Sequence, residues 1–75
     1  MFMQYYWRVN YPQSVVNSAR RYTAHVKRMQ HTYDRDELAL MEEERVRLHN
    51  IFLDALKSIG IQVDRTESED IAWNL

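Results

Sequence analysis

Because the chain contains no cysteine, its candidate nitrogen and sulfur ligands for a metal are three histidines. Zinc sites use histidine, cysteine and carboxylate ligands at short, regular spacings. His25, His31 and His49 are scattered, and no two of them are four residues apart. We therefore expect no metal site within one chain, no disulfide and no cofactor.

Motifs for nucleophilic or phosphate chemistry do not occur either. The sequence has one glycine, Gly60, whereas a phosphate-binding loop or a dinucleotide fingerprint needs several. No nucleophile elbow and no paired-carboxylate cleft is recognisable. We predict no catalytic residues and no enzymatic activity.

The cations are the second group of side chains that could bind a partner, because basic and acidic residues are unevenly distributed along the chain. Residues 1–33 contain five bases and no acid, whereas residues 34–75 contain all eleven acids and five bases. An acid-free basic surface can contact phosphates or an acidic protein. Alternatively, it is a solvated face or pairs with Glu42, Glu43 and Glu44 of a neighbouring helix. The candidate residues for an anionic partner are Arg8, Arg20, Arg21, Lys27 and Arg28.

A third polar group consists of Glu42, Arg45 and His49, which are three and four residues apart and would project together from a helix. They could form an ion-pair cluster that fixes the register of a dimer. The alternative is local pairing between residues three and four apart at the edge of an apolar stripe.

The elements that carry these residues follow from periodicity. Alternating apolar and polar residues predict a half-buried β-strand over residues 3–9. A stripe with spacings of three and four predicts an amphipathic helix over residues 13–33, with the cations on its outer face. The members of this stripe are Val15, Ala19, Tyr22, Val26, Met29 and Tyr33.

A second helix is predicted over residues 35–59, between a capping box formed by Asp34 and Glu37 and a stop at Gly60. Its apolar residues cover more than half of its circumference, so it must be covered on more than one side. We therefore expect a homodimer or a docked protein partner. The predicted protein interface consists of Met41, Arg45, Leu48, Ile51, Phe52 and Leu56.

The tail, residues 61–75, is expected to hold a short second strand and a capped helical turn anchored by Ile71 and Trp73. Together these elements predict a single domain of the α+β class, mostly α: an antiparallel helical hairpin with an N-terminal strand. No apolar run is long enough to cross a membrane and the N-terminus lacks a signal-peptide pattern, so we expect a cytoplasmic protein.

The stretch "YWRVNYP" carries a family resemblance. A strand, a proline and two amphipathic helices resemble the ribbon-helix-helix repressors of the Arc and MetJ type over residues 4–26. The resemblance implies a dimer whose paired strands enter the DNA major groove. It also places Trp7, Val9 and Tyr11 inward, and Tyr6, Arg8 and Asn10 outward as base readers. The longer helices and the "MQHTYDRD" connection differ from the family, and acids at the start of the second helix would repel a phosphate there.

The function predicted from the sequence is that of a small, non-enzymatic regulatory or interaction protein of the size common among phage and plasmid accessory factors. It would bind a macromolecular partner through its apolar and basic helix faces, as a homodimer. The alternatives are a ribbon-helix-helix-like DNA-binding regulator and a structural subunit of a larger assembly.

Overall fold

The computed structural model describes residues 10–75, which form three α-helices. They are α1 (Gln13–Gln30), α2 (Arg35–Ser58) and α3 (Arg65–Trp73). Residues 31–34 connect α1 to α2, and residues 59–64 connect α2 to α3. None of the three helices combines the length and the apolar character that a membrane crossing requires.

Helix α1 begins after Pro12, whose carbonyl accepts hydrogen bonds from the backbone N–H groups of Val15 and Val16 at 3.0 and 3.1 Å. The missing N–H of proline is harmless there, because the first N–H groups of a helix have no partner within it. Lys27 and Arg28 lie in the last turn, where cations favour the helix dipole. The helix ends three residues before the predicted boundary at Tyr33.

The predicted signals at both ends of α2 are confirmed. The Asp34 carboxylate accepts a hydrogen bond from the backbone N–H of Glu37 at 3.0 Å. At the other end Gly60 has a φ of 86°, a conformation that favours glycine. The Ile61 N–H reaches the Leu56 carbonyl at 3.0 Å and the Gly60 N–H reaches Lys57, which together form a Schellman motif.

The α+β class is wrong for the described part of the chain, which is helical and contains no strand. The predicted strand after Gly60 is an extended connection in which Ile61 and Val63 pack against the core without a second strand to pair with. The predicted helical turn is a full helix, α3, which Asp64 caps by accepting from the Glu67 N–H at 2.8 Å. The strand predicted over residues 3–9 lies outside the described residues.

The core lies between α1 and its two neighbours, since α1 packs on both α2 and α3. The α1–α2 pair is the predicted antiparallel hairpin: His25 contacts Met41, and Tyr22, earlier in α1, contacts His49, later in α2. The buried apolar residues are Val15, Ala19 and Tyr22 of α1, Leu48, Phe52 and Leu56 of α2, and Ile71 and Ala72 of α3.

Candidate functional site

The basic face of α1 consists of four exposed cations, Arg20, Arg21, Lys27 and Arg28. Arg20 and Lys27 are seven residues apart, and so are Arg21 and Arg28. On a helix the two pairs form two rows, one on each side of the exposed Ala24. Each row spans about 10 Å along the helix axis, since seven residues rise by 1.5 Å each. The face is therefore a compact patch with a small residue at its centre.

The first row, Arg20 and Lys27, borders α3. The Nε of Arg20 donates a hydrogen bond to the main-chain oxygen of Leu75 at 3.2 Å. The Nζ of Lys27 lies 5.7 Å from the ring centroid of Trp73, within range of a cation–π contact. The end of α3 thus places an aromatic ring at the edge of the basic face.

The second row, Arg21 and Arg28, borders α2. Both residues line an open groove together with Ala24, Glu44 and Leu48. Arg28 also donates a hydrogen bond to Nδ1 of His25 at 3.2 Å, which keeps its guanidinium along the helix.

Among residues 10–75 the acids of α2 form no ion pair within 4.0 Å with the basic face, although the pKa of Glu44 is lowered by Arg47 and, to a smaller extent, by the charge of Arg21. Arg47 donates two hydrogen bonds to the Glu44 carboxylate at 2.7 and 2.6 Å, and this contact lowers the pKa of Glu44. In the described part of the chain, ion pairs within 4.0 Å join Glu44 to Arg47 and Glu42 to Arg45, both inside α2. The four cations of α1 therefore have no Asp or Glu carboxylate at that distance among residues 10–75.

The predicted cluster of Glu42, Arg45 and His49 separates into two parts. Arg45 donates two hydrogen bonds to Glu42, at 2.9 and 2.6 Å, and thereby lowers the pKa of the Glu42 carboxyl. This is the local pairing that the sequence offered as the alternative. His49 has its hydrogen bonds with α3 instead, at Ser68 and Arg65.

The hydrogen bonds of His49 determine its tautomer. A guanidinium can only donate, so the 3.3 Å contact from Arg65 makes Nδ1 of His49 an acceptor. The Nε2–H then donates to the Ser68 hydroxyl at 2.7 Å, and that hydroxyl donates to the Arg65 carbonyl at 2.8 Å. Burial of the imidazole, followed by the charge of Arg65, lowers the pKa of His49. The neutral ring therefore joins α2 to α3.

The Ser68–His49 pair is structural and not a nucleophile with its base. Ser68 is 0% exposed, so no substrate reaches it in this conformation. Its proton is also committed to a backbone carbonyl and is not available for transfer to the imidazole. Among the described residues, no group of three or more potential ligands is placed to hold a metal ion.

Tyr22 completes this polar seam, which we define as Tyr22, Arg45, His49, Arg65, Ser68 and Glu69. The Tyr22 hydroxyl donates to the Glu69 carboxylate at 2.9 Å, and its ring lies 4.7 Å from the His49 ring between centroids. Burial, reinforced by the hydrogen bond to Glu69, raises the pKa of Tyr22, while the neighbouring Arg45 opposes the shift. The polar seam connects all three helices beneath the basic face.

Half of the predicted protein interface, three residues of six, lies buried inside the chain. Leu48, Phe52 and Leu56 are buried in the core, and Met41 and Arg45 are half-buried. Ile51 is the member left exposed, at 36%. Leu48, Phe52 and Leu56 are buried within the monomer without a second copy, whereas Leu40, Val46 and Ile51 of α2 remain exposed.

The residues implied by the family resemblance are only partly described. Tyr11 is half-buried and packs against the core, as the resemblance implies, and Asn10 is exposed. Arg8, Tyr6, Trp7 and Val9 lie outside the described residues.

Trp73 is the functional candidate that the sequence reasoning missed, because the prediction made it an anchor of the tail together with Ile71. It is 44% exposed, whereas Ile71 is fully buried. A helical reading of residues 65–73 would have given this result, since residues two apart on a helix point about 200° away from each other. The Asp64–Glu67 capping pattern was the available signal for that helix.

The remaining part of the polar seam had no sequence signal. Ser68, Glu69 and Arg65 bond across helices to residues more than a dozen positions away. His25 likewise donates from Nε2 to the Met41 carbonyl of α2 at 2.8 Å. Comparison with protein-family models, with curated proteins and with solved structures finds no match for this chain.

Proposed function

We propose that this chain is a non-enzymatic binding protein that recognises an anionic macromolecule through the basic face of α1. The observation that carries the proposal is the set of four exposed cations with no Asp or Glu carboxylate within 4.0 Å in the described part of the chain. Cations grouped in this way repel one another, and an anionic partner removes that repulsion. We propose a cytoplasmic location along with this function.

The arrangement of the acids supports the same proposal. Glu44, which lines the groove with Arg21 and Arg28, forms an ion pair with Arg47, and Glu42 forms one with Arg45. This pairing lowers the local negative charge that would otherwise compete with a partner for the cations. Leu48, Phe52 and Leu56 are buried, whereas Leu40, Val46 and Ile51 of α2 stay exposed, so an apolar interface on α2 is a separate candidate surface.

The test is a pull-down with the tagged chain, with and without nuclease, at increasing salt. If four phosphates are contacted, affinity for nucleic acid should fall roughly 50- to 150-fold between about 50 and 200 mM salt. The double variant Arg21→Gln with Lys27→Gln should weaken retention of the partner. The matched control, Arg35→Gln with Lys57→Gln, removes the same charge from α2 and should leave retention unchanged.

Circular dichroism of both double variants verifies that helix content is intact. Retention that does not respond to salt, or that falls equally in the two double variants, would contradict recognition by the basic face.

A ribbon-helix-helix-like DNA regulator is the second candidate. It is favoured by Pro12 at the start of α1 and by the packing of Tyr11 against the core. The acids in the first turn of α2, Asp36 and Glu37, disfavour the phosphate contact that the family makes there. This candidate predicts that Arg8→Ala weakens binding to duplex DNA.

A further inference from the structure

We infer that the basic face and Trp73 together form a binding surface for single-stranded nucleic acid. The inference rests on the proposed function and names its anionic partner. Single strands are held by cations along the phosphates and by aromatic side chains on which the bases stack. Both kinds of group meet where α3 ends beside α1.

The first line of evidence is the position of Trp73. Trp73 is 44% exposed, and Nζ of the exposed Lys27 lies over one face of its ring, 5.7 Å from the ring centroid. A base that stacks on the exposed part of the indole therefore has a cation next to its own phosphate. Arg20 lies at the same end of α3, since it donates to the main-chain oxygen of Leu75.

The second line of evidence is that the backbone around Trp73 is fixed. Ile71 and Ala72, which precede it directly, are buried at 0% and 2% exposure. The Asn74 side chain, which follows it, donates to the Asp70 carbonyl at 2.7 Å and closes the last turn of α3. The indole is thus presented from an anchored backbone, and little conformational entropy is lost when a base stacks on it.

The remaining cations extend the surface across α1. Arg21 and Arg28 lie beyond the small, exposed Ala24, which leaves room for a sugar–phosphate backbone to cross the helix. Arg20 and Lys27 would contact the phosphates nearest the stacked base, and the second row would contact those further along the strand.

Single strands fit this surface better than the other anionic partners. In a duplex the bases are stacked on each other, so Trp73 would gain no stacking partner without unpairing a base. An acidic protein supplies carboxylates for the cations but no planar base for the indole. Two acids are expected to limit the affinity: Asp70, three residues before Trp73 on the surface of α3, and Glu44, which lines the groove with Arg21 and Arg28.

The experiment uses Trp73 as its own probe. The chain has two tryptophans, so Trp7→Phe leaves Trp73 as the single emitter. Titration of this variant with an oligothymidine of about 12 nucleotides should quench the Trp73 fluorescence, and added salt should reverse the quenching. A duplex of the same length should bind more weakly and leave the fluorescence unchanged.

Anisotropy of a fluorescein-labelled oligothymidine measures the affinity of variants that lack the indole. Trp73→Leu should weaken binding roughly 5- to 150-fold, the range for loss of one stacked base. Trp73→Phe should retain part of the affinity, and Asp70→Asn should increase it. Arg35→Gln is the control on α2 and should bind as the unmodified chain does.

The outcomes separate the inference from the proposed function. If the oligothymidine binds through the basic face but Trp73→Leu binds equally well and no quenching occurs, the inference is overturned and the proposed function stands. A nuclease-resistant pull-down of an acidic protein, without oligothymidine binding, also overturns the inference. If no polyanion is retained, both fail.

Discussion

Lowering the pH should weaken the link between α2 and α3, because the structure requires a neutral His49. The Nδ1 atom of His49 faces the Arg65 guanidinium at 3.3 Å, so a proton on that atom would place two donors against each other. The charged groups around the ring are Arg65 and Arg45, which disfavour the imidazolium, and Glu69, which favours it. The ring also stacks against Tyr22, which is neutral at these pH values because its pKa is raised.

The sign of the effect follows from proton linkage. The pKa of His49 in the folded chain lies below its unfolded value of 6.5, so below pH 6.5 the unfolded chain binds more protons than the folded chain. The contribution of His49 to stability is fully present above pH 6.5 and is lost as the pH falls from 6.5 towards the folded pKa. One proton gives a slope of at most about 1.4 kcal/mol in the free energy of unfolding per pH unit.

Urea unfolding of the unmodified chain and of His49→Gln, at a series of pH values, measures this slope. We expect the free energy of unfolding to fall more steeply below pH 6.5 in the unmodified chain. The other histidines and the carboxylates are common to both proteins, so the difference between the slopes reports His49. Parallel curves for the unmodified chain and His49→Gln would refute the reasoning.

Two further predictions concern packing and capping. Phe52→Ala removes a fully buried ring and should lower the free energy of unfolding, measured by urea titration, by about 3–5 kcal/mol. Leu40→Ala, at a position that is 69% exposed, should change this free energy little. Equal losses in the two variants would contradict the core assignment. Asp64→Ala removes the N-terminal cap of α3 and should cost about 0.5–2 kcal/mol. Hydrogen exchange should then accelerate in α3 and not in α2, and acceleration in both helices alike would count against a local cap.

The elements whose signals are local could be predicted from the sequence. The Asp34 cap and the Gly60 stop depend on residues within four positions, and the stripe of Val15, Ala19 and Tyr22 is buried as its spacing requires. The basic face was also predictable, since helical spacing alone places its four cations on one side.

The parts that depend on tertiary contacts could not be predicted. The wide apolar surface of α2 requires a second covering, but the sequence does not say whether that covering comes from a partner or from the tail. In the structure Leu48 and Phe52 are core residues where an interface was expected, whereas Leu40, Val46 and Ile51 are left exposed. The hydrogen-bond partners of His49 could not be predicted for the same reason, because Ser68 and Arg65 contact it only when α3 is docked.

The docking of α3 on α1 makes the C-terminal helix a separate unit of stability. A nine-residue helix is too short to persist alone in water, so α3 exists because Ile71 and Ala72 are buried and the polar seam holds it. Such a unit opens at a lower free energy than the whole chain. A nucleic-acid single strand that stacks on Trp73 binds only the form in which α3 is docked. Its binding therefore shifts the equilibrium away from the opened form by mass action. Slower hydrogen exchange confined to α3 would then report occupancy of a surface that lies mostly on α1.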